Sequence, residues 1–261
     1  MNRSVAEEHG GRSHRATVAI ATAGLMLALA AGLALPLAGA GHRLGWWSFG
    51  TGFSVMRWAA YGGIAAAAVS TAALILAPWR GQRRGMFRAL GGLIIGLMTV
   101  GVPAYYLQTA RAVPPIHDIT TDTENPPEFQ EILRLRADAP NPASYGGPAV
   151  AAQQREGYPD IAPADYPIAP EAAFEVALAA AGAMSWTIVA TDEGAGRIEA
   201  TDQTFWFGFV DDVVIRVRPT DAGSRIDVRS VSRVGVSDIG KNAVRVRAYL
   251  AELEDRIGSG R

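Results

Sequence analysis

Residues 211–234 read DDVVIRVRPTDAGSRIDVRSVSRV, and their alternation decides the fold of the C-terminal half. Val213, Ile215 and Val217 share one face of an extended segment, and Ile226 and Val228 share one face of a second. Placing both sets on one core predicts an antiparallel pair with Val217 opposite Ile226 and Ile215 opposite Val228. A slip of one residue would turn every one of them to solvent. The connection is then a turn from Thr220 to Gly223. On the opposite, solvent-facing side the same register sets Arg216 against Asp227. It also sets Arg218 against Arg225, a like-charged pair that needs a neighbouring acid or water. Asp212 falls diagonal to Arg229 and Arg233, within about 8 Å of Arg233 by the diagonal reach of a sheet. Asp211 points coreward, opposite Ser232 and near Ser230.

The elements on either side extend this pair into a domain. Upstream, Pro170-Glu171 suits the first turn of a helix, with proline at N1 and an acid near the positive dipole end. Phe174, Ala177, Leu178 and Ala181 form one helical face, and Gly182 fits the stop. Trp186 to Thr191 alternates as a strand, residues 192–196 are a turn, and Arg197 to Asp202 is a second strand. Asp211 to Arg218 and Ser224 to Val234 are then the third and fourth strands. Ile239, Ala243, Val246, Leu250 and Leu253 step at helical spacing into a closing helix. Short consecutive connections predict an α-β-β-β-β-α order over 170–257: an antiparallel four-stranded sheet with two helices, an α+β fold. Between the second and third strands lies the aromatic run Phe205, Trp206, Phe207, Phe209. It reads first as a cap on the domain core, and alternatively as cover for an acyl-chain groove or a contact with a bilayer.

The N-terminal half is of another kind. The whole chain of 261 residues has a formal net charge of -1, no cysteine and 19% charged residues. That balance conceals a split: residues 1–110 carry nine arginines against two acids, a formal +7, and the remainder carries −8. Three stretches, 16–41, 58–79 and 89–110, contain no Asp, Glu, Lys or Arg. About 20 apolar residues cross a bilayer core as a helix, so three transmembrane helices are predicted. The tail 1–15 holds Arg3, Arg12 and Arg15, and the second connector holds Arg80, Arg83, Arg84 and Arg88. The first connector has only Arg43 and Arg57, so the positive-inside rule places the tail and second connector in the cytoplasm. The domain after the third helix then lies on the other face, the periplasm of a Gram-negative bacterium. Ala38-Gly39-Ala40 also fits a signal-peptidase site, although its apolar run exceeds the usual 7–15 residues.

Trp46, Trp47, Phe49 and Phe53 in the first connector, and Trp58 and Trp79 at the ends of the second span, suit anchoring at headgroup level. Gly92 and Gly96 have the spacing that lets helices approach closely. No Asp, Glu or Lys lies within a span, which argues against a proton relay or ion pathway. Residues 111–169 form the connection to the outer domain. Eleven of the fifteen prolines fall between Val113 and Pro170. Only Glu128 to Arg136 looks like a short helix, and the rest reads either as an extended tether or as an ordered belt around the domain.

The densest polar segment holds Arg229, Ser230, Ser232, Arg233, Ser237, Asp238 and Asn242, followed by Arg245. With Asp211 and Asp212 these are the candidate ligand-binding residues. Ser237 or Asp238 can cap the last helix, and free N–H groups there, with Arg and Ser nearby, could hold an anion. The alternative is a cap plus a cross-strand ion-pair network, for which Asp211 and Asp212 supply internal partners. His117, Asp118 and Asp122, with Glu124, form a secondary cluster that could meet a hard cation or simply be solvated. A Ser-His-Asp triad would have to recruit His117 from the connection, the outer half's single histidine. Ser237 and Lys241 could form a Ser-Lys dyad, though one turn at a helix start reads more simply as capping. Zinc prefers several His or Cys ligands, and there is neither a P-loop nor a dinucleotide-binding glycine pattern. No metal and no cofactor are therefore expected. The acidic outer half argues against nucleic acid.

Two segments resemble a known family. They are Trp206 to Arg216, and Arg229-Ser230-x-Ser232-Arg233-x-Gly235-x-Ser237-Asp238-x-Gly240-x-Asn242-Ala243-x-Arg245. They are similar to the domain of unknown function 1499 family. Pro114 to Asp122, with Asn125-Pro126-Pro127, is similar to its proteobacterial membrane-anchored members. The resemblance runs from Val113 to Glu254. It implies a cell-envelope setting and hands over no catalytic residues. Some relatives carry a cysteine-containing N-terminal motif, and this chain has no cysteine to support a metal or redox role drawn from it.

Together these readings describe an inner-membrane protein that presents a periplasmic α+β binding or scaffold domain. Its partners would be the lipid bilayer and a partner protein or an anionic or lipidic envelope ligand. The alternative is an envelope hydrolase or transferase using Asp211, Asp212 and Ser232 or Ser237. A cleft joining Asp211, Ser232, Asn242 and His117 would favour the enzyme, and a closed Arg–Asp lattice would favour binding or scaffolding.

Overall fold

The computed structural model describes residues 3–76 and 83–259, with side chains from residue 15 onward. Trp79 and Arg80 lie outside the described residues, as do the side chains of Arg3 and Arg12. The chain forms two compact units: residues 1–107 with Phe205–Gly208, and residues 108–204 with 209–261.

The first unit is built on three helices, α1 (Arg3–Arg43), α2 (Phe49–Leu76) and α3 (Arg83–Ala112). All three are long and apolar enough to cross a membrane. Each runs beyond its charge-free stretch, because a helix does not end where a charge appears. α2 begins at Phe49 and takes in Arg57, so Phe49 and Phe53 belong to its first turns rather than to a connector. Side-chain size is distributed inside out. Ala21, Ala28, Ala66, Ala73, Ala89, Ser70 and Thr99 are buried, whereas Leu33, Ile75, Ile94, Leu97 and Met98 are exposed. That is the arrangement of helices whose large apolar side chains meet lipid and whose small ones meet each other. These helices make the chain a membrane protein. Gly92 and Gly96 both lie at helix crossings: a Cβ on Gly96 would come 2.7 Å from the Gly63 carbonyl, and one on Gly63 2.9 Å from that of Gly96.

Phe205–Gly208 groups with the helices and not with the sheet core expected for it. Phe207 is buried, 5.1 Å from the Phe53 ring, and the Trp206 indole donates to the Pro36 carbonyl (3.2 Å). Phe205 is 92% exposed, and the run therefore does not cap the domain core.

The second unit is the α+β body. Its elements are β1 (Asp118–Thr120), a 3-10 turn (Glu131–Arg134), α4 (Gly147–Gly157), β2 (Ala164–Tyr166) and α5 (Pro170–Ala183). They continue with β3 (Thr187–Asp192), β4 (Arg197–Gln203), β5 (Val210–Thr220), β6 (Gly223–Ser232) and α6 (Lys241–Ser259). The four predicted strands form an antiparallel meander, and its outer strand β6 also pairs with β1 and β2, giving six strands in all. The β5–β6 register is the predicted one: Val217 faces Ile226, Ile215 faces Val228, Arg216 faces Asp227 and Asp211 faces Ser232. The ladder continues to Thr220–Gly223, so the turn is tighter than expected, with Asp221 and Ala222 alone at the tip. Gly223 has φ 145°, where a Cβ would collide with the Tyr166 carbonyl oxygen.

One sheet face carries Ile198, Ala200, Val213, Ile215, Val217, Ile226 and Val228 against Phe174, Ala177 and Ala181 of α5 and Ala243, Val246 and Leu253 of α6. Tyr249, absent from the predicted helical face, is fully buried there. It stacks on Trp186 (5.4 Å) and donates to the Ala177 carbonyl (3.1 Å). Ile239 precedes α6, in a left-handed conformation (φ 54°), instead of lying on its face.

The opposite face was expected to meet solvent, and it does not. Residues 118–145 lie across it, with Phe129 and Ile132 packed on Val214 and Val231. Asp212 and Asp227 are fully buried and Arg229 is 1% exposed. The proline-rich connection is thus a folded second cover for the sheet. Two side chains fasten it. The Glu199 carboxylate accepts from the backbone N–H groups of Gln130 (2.8 Å) and Ile132 (2.8 Å), capping the 3-10 turn. Gln154 of α4 pairs with the backbone of Thr120, accepting from its N–H (3.0 Å) and donating to its carbonyl (2.6 Å), as a neighbouring strand would. If the connection is a cover, Phe129→Ala should destabilise the unit by about 3–5 kcal/mol, the cost of emptying a buried phenylalanine site. Urea unfolding of the full chain in detergent micelles checks this, and an unchanged midpoint would mean a loose tether.

Candidate functional site

The predicted polar residues fall into three groups, two of them largely buried and the third partly exposed. The first lies on the helix-facing side, at the sheet end where β4 and β6 finish and α6 begins. Arg245, on the first turns of α6, reaches the Asp211 carboxylate (2.7 Å) and Asp202 (2.9 and 2.7 Å). It also donates to the Ser230 hydroxyl (3.1 Å) and to the Asn242 side-chain oxygen. Ser230 donates to that same oxygen (2.7 Å), while the Asn242 amide donates to Ser232 Oγ (2.9 Å) and the His117 carbonyl (2.9 Å). Alternation explains the placement: Asp211, Ser230 and Ser232 have the coreward phase of their strands, where the apolar rows give out.

The second group is on the other face. Arg229 makes a two-pronged pair with Asp118 (2.8 and 2.7 Å) and donates to the carbonyls of Pro127 (3.1 Å) and Ala143 (2.8 Å). Its guanidinium also lies over the rings of Phe129 (5.2 Å) and Tyr145 (5.5 Å). Asp212 is clasped by Arg233 (2.8 Å) and Arg136 (3.1 Å), well within the predicted diagonal reach. Burial lowers the Arg136 pKa, and Asp212 opposes that shift. The third group joins Asp122 and Asp227 through Arg216 and Arg218. It resolves the like-charged cross-strand pair: Arg218 turns to these two acids, and Arg225 to Asp165 (2.7 Å).

Ser237 and Asp238 end the chain's path into α6. Ser237 Oγ accepts from the Ile239 N–H (3.1 Å), and the Asp238 carboxylate accepts from those of Gly240 (2.8 Å) and Asn242 (2.6 Å). Asp238 therefore caps α6, as one reading expected. Burial raises its pKa, against the pull of the Asn242 and Gly240 N–H groups, and the nearby Asp211 charge adds to the rise.

The secondary cluster does not assemble. Asp118 is committed to Arg229. Asp122 is committed to Arg216, Arg218 and the N–H groups of Glu124 and Asn125, and the His117 ring meets the Val236 carbonyl (3.2 Å). Among the described residues, no three His, Asp or Glu side chains converge as metal ligands would. A surface cavity of about 550 Å³ lies elsewhere, lined by Glu131, Ala190, Thr191, Asp192, Glu193 and Arg197. Asp211, Ser232, Asn242 and the His117 carbonyl do meet, but as a closed hydrogen-bonded lattice.

Sequence reasoning paired Asp227 with Arg216 but missed Arg136, Asp202, Glu199 and Gln154 as members of these groups. Asp202 could have been found from strand phase, since it lies in register with Asp211. Arg136, Glu199 and Gln154 carried no such signal, because each acts across the fold on a partner 34 or more residues away.

Residues 118–253, just over half of the chain, match the family described as protein of unknown function (DUF1499). The chain belongs to that family. No curated protein matches it. All ten principal candidate residues fall inside the matched segment, as do Asp118 and Asp122, and His117 lies just before it.

Two outcomes follow from the buried charges. Removing one partner of the Arg229–Asp118 pair strands a buried charge, so Asp118→Leu or Arg229→Met should each cost about 3–5 kcal/mol. The double variant Asp118→Leu with Arg229→Met should cost less than the two added together. A double-mutant cycle by urea unfolding measures this, and strict additivity would refute the coupling. The raised pKa of Asp238 means that the native state binds its proton more readily than the unfolded chain does. Its contribution favours the fold at acid pH and is lost as pH rises through the folded value. The wild type should therefore gain stability relative to Asp238→Asn as pH is lowered from neutral into the carboxylate range. A stability difference independent of pH would contradict this.

Proposed function

We propose that this member of the DUF1499 family is an inner-membrane protein with its N-terminus in the cytoplasm and its α+β body in the periplasm. There the body serves as a binding or scaffold module for a partner protein or an anionic or lipidic envelope ligand. One observation carries this reading over the hydrolase or transferase alternative: all ten candidate side chains have their partners inside the chain. Asp211 and Asp202 neutralise Arg245, Asp212 neutralises Arg233 and Arg136, and Asp118 neutralises Arg229. A reactive group needs an approach for substrate and a proton partner that is free to exchange. These groups are spent on holding two covers to one sheet, which leaves recognition to the outer surface.

The arginine asymmetry supports the orientation. A chain without cysteine permits a direct test with single substitutions. Ala222→Cys, at the tip of the β5–β6 turn, should react with a membrane-impermeant maleimide in spheroplasts. Arg84→Cys should react only after permeabilisation, and the reverse pattern would overturn the orientation. For the role, native mass spectrometry of the full chain released from its own membrane should show a retained protein or lipid. A chain that carries none, and instead turns over an envelope ester or phosphoester with loss on Ser232→Ala, would favour the enzyme.

A further inference from the structure

The two ends of the sheet differ in a way that the lattice does not explain. β4 and β6 finish, and β1, β5 and α6 start, at one end, and the turns at 193–196 and 221–222 occupy the other. With β5 spanning 11 residues, the ends are about 30 Å apart. Val236 (78% exposed) and Val244 (61% exposed) rim the first end, one just before α6 and one in its first turn. No large apolar side chain is exposed on the turns of the far end. Lys241, the single lysine of the chain, is exposed between the two valines in sequence.

Connectivity says what this end can meet. Only residues 113–117 separate the last residue of α3 from the first of β1, and β1 starts at the same end. Six steps of extended chain reach at most about 20 Å, less than the length of the sheet. If α3 crosses a bilayer, this end is held within that distance of the span's exit, and the far end is free to stand clear. Two exposed valines with an exposed lysine between them in sequence match an interfacial zone, where valines enter the acyl boundary and an ammonium meets lipid phosphate.

We propose that the sheet end bearing Val236, Lys241 and Val244 is a lipid-facing surface seated on the headgroup layer of the membrane. This rests on the reading that the three helices cross a bilayer, and the test separates the two. Val236→Cys, Val244→Cys and Ala222→Cys, each in the otherwise cysteine-free full chain, carry an environment-sensitive fluorophore. The protein is reconstituted in vesicles of phosphatidylethanolamine and phosphatidylglycerol. Leu97→Cys, exposed in mid-α3, reports on the span itself. Nitroxide lipids labelled at the headgroup should quench the probes at 236 and 244 about threefold more than the probe at 222, about 30 Å away. Emission at 236 and 244 should also shift to the blue. Nitroxides deep in the acyl chains should quench the probe at 97. Quenching at 97 with 236 and 244 no different from 222 overturns the lipid-facing surface alone. A probe at 97 untouched by deep nitroxides overturns the membrane reading and the surface with it. Blue-shifted but unquenched probes at both valines mean that protein covers them, which also overturns the proposal.

Discussion

Arg229 is a full positive charge in the middle of a sheet, and the body of this protein is arranged around the need to satisfy it. A guanidinium with no water around it must find carboxylate, carbonyl and ring partners in fixed positions. β5 beside it offers Val214 directly opposite, which can supply none of these. The partners come from the connection instead: Asp118 pairs with it, Pro127 and Ala143 give carbonyls, and Phe129 and Tyr145 give ring faces. A proline-rich segment is well suited to the task. Its backbone is already extended, it forms little structure of its own, and its carbonyls remain free to accept.

The second cover changes the meaning of the other charges. Arg216, Arg233, Asp212 and Asp227 on an open sheet face would be a solvated lattice of small energetic weight. Closed under residues 118–145, the same groups become interdependent, because Asp212 and Asp227 are fully buried and depend on the arginines for their partners. The helix-facing lattice of Arg245, Asp211, Asp202 and Asn242 works likewise at the sheet end, where it ties α6 to three strands at once. The proposed binding or scaffold role rests on this economy, in which the interior polar groups serve the fold.

Much of the body could be read from strand phase. The register of β5 against β6 follows from two apolar rows, since only one pairing puts Val213, Ile215 and Val217 on the same side as Ile226 and Val228. With the register set, the Asp212–Arg233 contact, the Asp211–Ser232 apposition and the Arg218–Arg225 conflict all followed. Capping of α6 was legible in Ser237 and Asp238 for a similar reason, as it is a local interaction with a local spacing. What escaped was non-local. Glu199 caps a turn far upstream, Gln154 poses as a strand neighbour for Thr120, and Tyr249 was hidden because a tyrosine on a helix reads as polar until a stacking partner such as Trp186 is known.

The chain by itself thus determined three apolar helices, the arginine excess of the N-terminal tail and second connector, the order of strands and the pairing of the central hairpin. Each depends on composition or periodicity, and both act over short stretches. Whether the second sheet face is open or covered, what the proline-rich connection does, and where Phe207 and Trp206 find their neighbours were decided only by the tertiary structure. The physical reason is the same in each case. Alternation shows that a side chain points to one face or the other, but not what covers that face. Burial turns a row of surface charges into a lattice only when a distant segment arrives carrying the matching groups.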